Sequence, residues 1–195
     1  MSRAEHGRAM GDGESHRPRH RLYFLHSRDM DVNEKIVEEW VRRCKHQFTM
    51  VNTRFRTPRN YGDIDILAMD ANGEVYDYEV KWRSTPWVGA TPAETETALA
   101  GQLVRPERIK KIKELIGDRR YHRVFVTPNL MLGSDKKRGA LLAELEKHDI
   151  EIKTFEDILA DLVIKISPKG RYDSEVSQLI RMFKLFKVDV AGSKK

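Results

Sequence analysis

The chain of 195 residues has little of what marks a secreted, membrane-spanning or zinc-binding protein. It holds one cysteine, Cys44, which excludes an intramolecular disulfide and a zinc site built from cysteines. No apolar run approaches the roughly 18 residues that a transmembrane helix needs. The N-terminal residues also lack the apolar segment of a signal peptide. We therefore expect a cytoplasmic protein.

Several signatures of other function classes are also missing. The sequence contains no Gly-rich nucleotide-binding loop, no nucleophile elbow and no zinc finger. No helix-turn-helix or other separate recognition module is evident. Any action on nucleic acid is therefore expected to be structure-selective or non-specific, because the chain lacks the usual means of reading a base sequence.

Composition indicates a charged globular protein with a moderate excess of positive charge. Charged residues make up 34% of the chain and hydrophobic residues 39%, and the net charge is +6. Such an excess favours a polyanionic partner without identifying one. The pattern divides the chain into a disordered basic tail at 1–20, a domain at 21–167 and a C-terminal helix at 168–188. That helix is expected to pack on the domain or on a second subunit, as in a homodimer.

The most informative stretch spans residues 62–83, where two β-patterned runs are joined by Asn72-Gly73. This dipeptide is the strongest short signal for a hairpin, so the two runs should be antiparallel neighbours. Asp65 lies in the first run, and Glu79 and Lys81 lie in the second. Glu79 and Lys81 share one face because side chains alternate along a strand. The hairpin therefore brings two carboxylates and an amine together.

This trio has a chemical use. Two adjacent carboxylates repel each other unless a cation lies between them, and hard oxygen ligands suit Mg²⁺ or Mn²⁺. Lys81 could position or activate an attacking water, or stabilise charge that develops on a phosphate. Metal-assisted phosphodiester hydrolysis needs this set of groups. The alternative interpretation is an edge hairpin with solvated charges and one cross-strand pair between lysine and a carboxylate.

The pattern of Asp65 followed by Glu79-Val80-Lys81 resembles the PD-(D/E)xK nuclease superfamily, which includes archaeal Holliday-junction resolvases and Mrr-type restriction enzymes. The strings GDIDILA and YEVKWR carry the resemblance, which covers roughly residues 32–130. The chain departs from the family pattern because no proline precedes the metal-binding aspartate. Asp63 is a second candidate for that position. Asp65 is preferred because it directly precedes the Ile-Leu-Ala run.

The resemblance implies an α/β, restriction-endonuclease-like fold. Its mixed central sheet of four to five strands would be flanked by helices, with an α-β-β-β-α-β core and extra C-terminal helices. The implied activity is that of a deoxyribonuclease dependent on Mg²⁺ (or Mn²⁺), an endonuclease that cuts duplex, branched or single-stranded DNA in repair, recombination or defence. An RNA-processing nuclease would share this chemistry. The alternative is a catalytically silent nuclease-fold protein that binds nucleic acid or a partner.

The resemblance also assigns roles to individual residues. The catalytic set would be Asp65, Glu79, Lys81 and Glu34, and the metal ligands Asp65, Glu79, Glu34 and the Val80 carbonyl. Glu34 lies in a helical pattern that begins after Asp31, so it could instead cap that helix. Glu38, four residues on, is the reserve for the same role.

Basic segments on either side of these strands are expected to hold the nucleic acid backbone. Gln102 is included because many family members carry a helix glutamine near this place, facing the catalytic strand. The expected nucleic-acid-binding residues are Arg54, Arg56, Arg59, Arg83, Gln102, Arg105, Arg108, Lys110 and Lys111.

Overall fold

A computed structural model describes residues 30–82, 101–133 and 135–187. It shows an α/β fold with a five-stranded mixed sheet and additional C-terminal helices, which confirms the predicted fold class. The tail at 1–20 and Arg83 lie outside the described residues. In chain order the elements are α1 Val32–Cys44, β1 Phe48–Arg56, β2 Tyr61–Met69, β3 Val75–Val80, α2 Pro106–Ile116, β4 Tyr121–Thr127, a 3₁₀ turn Asn129–Leu132, α3 Asp135–Glu146, β5 Ile150–Thr154, α4 Phe155–Lys165 and α5 Glu175–Leu185.

The strands follow the chain across the sheet in the order β1-β2-β3-β4-β5. β2 is antiparallel to both of its neighbours, β1 and β3, whereas β3, β4 and β5 run parallel to one another. The Asn72-Gly73 hairpin between β2 and β3 is confirmed. Gly73 has a φ of 84°, a left-handed value that a glycine adopts without strain. The Asp70 carboxylate closes the turn by accepting from the backbone N–H groups of Asn72 and Glu74.

Helices cover both faces of the sheet and bury its apolar side chains. On the first face, α1, α4 and α5 pack over β2, β3 and β4. On the second face, α3 and α2 close two smaller clusters, through Leu141 and Leu145 and through Ile112 respectively. Every described helix is too short or too polar to cross a lipid bilayer.

The last helix, α5, packs on the domain rather than extending away from it. Ile180 is buried in the first-face core, and the Ser177 hydroxyl donates to the buried Glu39 carboxylate of α1. Lys184 donates to the Val163 and Ile166 carbonyls at 2.7 Å each, so it caps the C-terminal end of α4. α5 thereby fixes the two helices on which the first face of the sheet depends.

Candidate active site

β3 separates an apolar face from a charged face, residue by residue. Tyr78 and Val80 point into the first-face core, while Asp77 and Glu79 point to the side of α2. Asp77 is 0% exposed and Glu79 is 1% exposed. The interpretation of this hairpin as an edge with solvated charges is therefore wrong. Buried charges are costly unless they are paired, so the partners of these acids define the site.

Asp65 lies where the ladder between β2 and β3 comes apart. The last pair of that ladder is Ile66 with Tyr78, and β2 continues beyond it paired only with β1. The Asp65 carboxylate fills the first gap, because its Oδ2 accepts a hydrogen bond of 2.7 Å from the Val80 N–H. Continuing the same register would set Asp65 opposite Glu79. The two carboxylates are thus cross-strand neighbours at the point where β2 and β3 separate. We call this point, with Asp65, Asp77 and Glu79, the fork.

The Lys81 ammonium group lies between these two carboxylates. Its Nζ is 2.6 Å from Glu79 Oε1 and 3.8 Å from Asp65 Oδ2. Burial lowers the pKa of Lys81, but the Glu79 and Asp65 carboxylates outweigh it and raise that pKa above its ordinary value. Lys81 therefore remains protonated at neutral pH, so it acts as a fixed positive charge rather than as a general base.

Arg108 of α2 enters the fork from the opposite side and is 1% exposed. It binds both Asp77 oxygens, with Nε 3.0 Å from Oδ2 and Nη2 2.6 Å from Oδ1. Its Nη1 donates to Glu79 Oε2 and to the Asp63 carbonyl. Burial lowers the pKa of Arg108, and Asp77 and Glu79 more than reverse that effect. The guanidinium of Arg108, which was predicted to contact nucleic acid, is therefore bound to Asp77 and Glu79 at the wall of the cavity.

The buried acids of the fork outnumber the cations that face them. Asp65, Asp77 and Glu79 meet two cations, Lys81 and Arg108. Asp65 is the least well compensated, since the ammonium group lies closer to Glu79 than to Asp65. Burial, reinforced by the Glu79 charge, raises the pKa of Asp65 to about 7. The fold therefore leaves one carboxylate without its full counter-charge.

The fork opens into a cavity of about 490 Å³ that is lined by all four predicted catalytic residues. Five carboxylates line it, together with two carboxamides and three basic groups. The lining residues are Asp31, Glu34, Asp63, Asp65, Glu79, Asn52, Gln102, Lys81, Arg105, Arg108, Phe55 and Gly62. The Phe55 ring lies so close to Gly62 that a Cβ at that position would collide with it.

Of the two candidate glutamates on α1, the structure places Glu34 at the cavity and Glu38 away from it. The Asp31 side chain caps the helix by accepting from the Asn33 N–H, and the Asp31 backbone lowers the pKa of Glu34, as in a capping contact. Burial is the main cause that raises the pKa of Glu34, and its electrostatic contacts include Lys81 and Glu79. Glu38 instead accepts a 3.0 Å hydrogen bond from the Thr49 hydroxyl. Capping and a place at the site are therefore compatible for Glu34.

Among the other described basic residues that were predicted to bind nucleic acid, Arg105 lines the cavity. Arg54, Arg56 and Arg59 are exposed, and Arg54 Nε lies 3.7 Å from the Asp63 carboxylate. Arg105 and Lys110 are exposed on α2. Lys111 is half-buried, with Nζ 3.5 Å from Glu114. Asp63, the second candidate acid, lines the cavity but is more exposed than Asp65.

The donor set fits a magnesium ion better than a zinc ion. The described residues contain no group of three or more His, Cys, Asp or Glu side chains arranged to hold a metal. Mg²⁺, however, is bound in proteins by one or two carboxylates, with water and substrate phosphate as its other ligands. Asp65 and Glu79 already converge on one cation, the Lys81 ammonium group. Two such carboxylates with a charge deficit provide the oxygen ligands that Mg²⁺ or Mn²⁺ requires.

Sequence reasoning missed two features of this site. It gave Asp77 no role, because the pairing with Arg108 joins positions 31 residues apart. It also gave no sign of the irregular backbone in β1, where Asn52 has a φ of 49°. The signal for the second feature was present, since asparagine is depleted in strands and tolerates the left-handed region.

Comparisons with known proteins add little. No family model matches the chain, and no curated protein matches it. A crystal structure described as a protein of unknown function, AF1548, is similar to the chain with a TM-score of 0.47 and 18% sequence identity. The match covers 76% of each chain. At this level the similarity supports no argument about function.

Proposed function

We propose that the protein is a metal-dependent endonuclease that hydrolyses DNA phosphodiester bonds. The observation that carries the proposal is the buried pair Asp65 and Glu79, which converges on Lys81 at an open cavity with a deficit of positive charge. A strongly perturbed carboxylate in a cleft is typical of a functional site. A divalent cation and a phosphate are the complementary pair of ligands for such a cavity.

Asp65 and Glu79 would hold the metal ion. The Val80 carbonyl would join them, because an extended residue in an antiparallel pair directs its N–H and C=O to the same strand edge, here the edge of Asp65. Glu34 would add a third carboxylate from the cavity wall. A bound Mg²⁺ ion supplies neutralisation of phosphate charge and a lowered pKa for water.

The chain's own residues then account for the remaining requirements. Lys81, protonated and held between the two carboxylates, stabilises negative charge that develops on the phosphate. Arg108 and Asp77 fix the orientation of Glu79 from behind. Arg105, Lys110 and the arginines at 54–59, all of them exposed, would contact the backbone on either side of the scissile bond.

One observation favours the second candidate, a nuclease-fold protein that binds nucleic acid without cutting it. Both Glu79 oxygens are already engaged, Oε1 by Lys81 and Oε2 by Arg108. Metal binding would have to compete with the ammonium group at Oε1. A closed ion network of this kind would not bind the metal ion that cleavage requires.

Cleavage of a labelled panel decides between the two functions. The panel holds plasmid, single-stranded DNA, a flap, a four-way junction and RNA, with Mg²⁺, Mn²⁺ or EDTA. We expect metal-dependent cleavage that is lost in Glu79→Gln and Lys81→Ala. Glu39→Gln, a buried glutamate outside the cavity, is the matched control and should cut like the parent. Binding of the panel without cleavage under any condition would favour the non-catalytic function, and the preferred substrate would distinguish DNA from RNA.

A further inference from the structure

Asn52 interrupts the ladder between β1 and β2 at the level of Asp65. The pairs Val51 with Ile66 and Thr53 with Ile64 have one register, which sets Asn52 opposite Asp65. That central pair is missing from the ladder, and Asn52 has a φ of 49°. Left-handed backbone is unusual inside a strand even for asparagine, which tolerates it, and such residues cluster at functional sites.

The interruption completes a row of polar residues across three strands. Asn52 on β1, Asp65 on β2 and Glu79 on β3 occupy successive positions when the two registers are continued. Side chains in such a row are cross-strand neighbours. Asn52 also lines the cavity that contains Asp65, Glu79 and Lys81. By strand register, Asn52 therefore lies on the opposite side of Asp65 from Glu79.

The cavity has few hydrogen-bond donors that are free to bind a phosphate, and the Asn52 carboxamide could supply them. Lys81 and Arg108 are both bound to Glu79, so neither has its full hydrogen-bonding capacity left for a phosphate. Asn52 offers two N–H donors without adding charge. Within the described part of the chain, no hydrogen bond to its side chain is formed in competition.

Resting on the proposed nuclease function, we infer that Asn52 is a substrate-binding residue whose side-chain amide donates to a non-bridging oxygen of the scissile phosphate. Position 52, with its left-handed backbone and its missing strand pair, lies at the cavity wall beside Asp65. β1 then supplies the contact on one side of the phosphate, and β3 supplies Lys81 on the other.

Three substitutions of Asn52 distinguish the effect of its side-chain amide from the effect of its left-handed backbone. Asn52→Gly keeps a left-handed φ accessible and removes the amide. Asn52→Asp keeps the shape but replaces the donor by a negative charge, and Asn52→Ala adds backbone strain. Asp149→Gly is the matched control, because Asp149 has a φ of 57° just before β5 and is remote from the cavity.

The inference predicts that Asn52→Gly lowers kcat/KM for a duplex oligonucleotide about 10- to 100-fold, the effect expected for a hydrogen bond to a charged group. Its Tm should match that of Asp149→Gly relative to the parent. Asn52→Asp should lose still more activity. Cleavage by Asn52→Gly at the parental rate would overturn the inference and leave the nuclease proposal standing. So would parental cleavage by Asn52→Asp with tighter Mn²⁺ binding, which would make position 52 a metal ligand.

A binding measurement keeps the inference testable if the parent does not cut. Fluorescence anisotropy of a fluorescein-labelled duplex, with Ca²⁺ in place of Mg²⁺, reports phosphate contact without chemistry. We expect Asn52→Gly to weaken binding about 10-fold or more and Asp149→Gly to leave it unchanged. Equal affinity of parent and Asn52→Gly, or no binding by either protein, contradicts the inference.

Discussion

Two buried carboxylates, Glu39 and Asp65, occupy opposite electrostatic situations in the same domain. Glu39 is 3% exposed and Asp65 is 6% exposed. Burial alone would raise the pKa of Glu39, but hydrogen bonds from Arg43, Ser177 and Ser174 outweigh it and lower that pKa. Burial and the neighbouring Glu79 raise the pKa of Asp65 to about 7, against the weaker effects of Lys81 and the Val80 N–H.

The difference separates a structural carboxylate from a candidate functional one. Glu39 ties α1 to α5 and has its partners supplied by the fold. Asp65 opens into the cavity with one backbone donor and a lysine nitrogen at 3.8 Å. A fold that neutralises one buried acid and leaves another under-compensated is arranged to receive positive charge at the second.

The largest expected effect is on activity. Glu79→Gln and Asp65→Asn should each lower the cleavage rate at least about 10³-fold, because both remove charge from the metal-binding pair. Glu39→Gln should leave the rate unchanged, although it removes an equally buried charge. Initial rates at saturating Mg²⁺, with circular dichroism as a check of folding, test the comparison. A similar loss of cleavage rate in Glu39→Gln would show that removing any buried charge lowers activity, and that the effect is not specific to the cavity.

The next effect is on stability and concerns the cations. Arg108→Met should cost about 3–5 kcal/mol, since it leaves Asp77 and Glu79 buried without their main partner. Arg43→Met should cost only about 1–2 kcal/mol, because the Arg43 side chain is 29% exposed and Glu39 keeps the Ser177 donor. Urea unfolding measures both. An equal loss of unfolding free energy in the two variants would mean that the buried acids depend on Arg108 no more than Glu39 depends on Arg43.

The two acids should also have opposite effects on stability as pH changes. The pKa of Asp65 rises from 3.8 to about 7 on folding, so the folded state holds the extra proton between these values and stability falls as pH rises through them. Asp65→Asn should therefore stabilise the metal-free protein at about pH 8, by at most about 4 kcal/mol, since one pKa unit is worth about 1.36 kcal/mol.

For Glu39 the sign reverses. Its lowered pKa contributes stability above the unfolded value of 4.5 that is lost as pH falls through the folded pKa. Glu39→Gln should thus destabilise the protein at about pH 8, by about 1–3 kcal/mol. Unfolding free energies in EDTA at about pH 4 and pH 8 reveal the signs. A destabilising Asp65→Asn at the higher pH would contradict the account.

The smallest effect should come from the hydrogen bond that completes the Glu39 contact. Ser177→Ala removes the hydroxyl donor from α5 and should cost about 1 kcal/mol, without any change in cleavage. Thermal unfolding at matched protein concentration measures it. Loss of cleavage in this variant would place α5 among the elements on which the site depends.

The fold was largely predictable because its signals are local. Asn72-Gly73 determines the hairpin, and period-two alternation places Glu79 and Lys81 on one face without any long-range assumption. The partners of those residues were not predictable in the same way. Arg108 is one of several basic residues on α2, and only packing determines that it points inward to Asp77. The missing pair at Asn52 likewise depends on how β1 and β2 pair on either side of Asp65, where β2 separates from β3.

Calorimetric titration of Mn²⁺ tests the central claim, that Asp65 and Glu79 form a cation site rather than a closed ion network. The parent and Glu39→Gln should bind Mn²⁺ with the same affinity, while Asp65→Asn and Glu79→Gln should lose the binding. Failure of the parent to bind Mn²⁺, or equal binding by all four proteins, would contradict it.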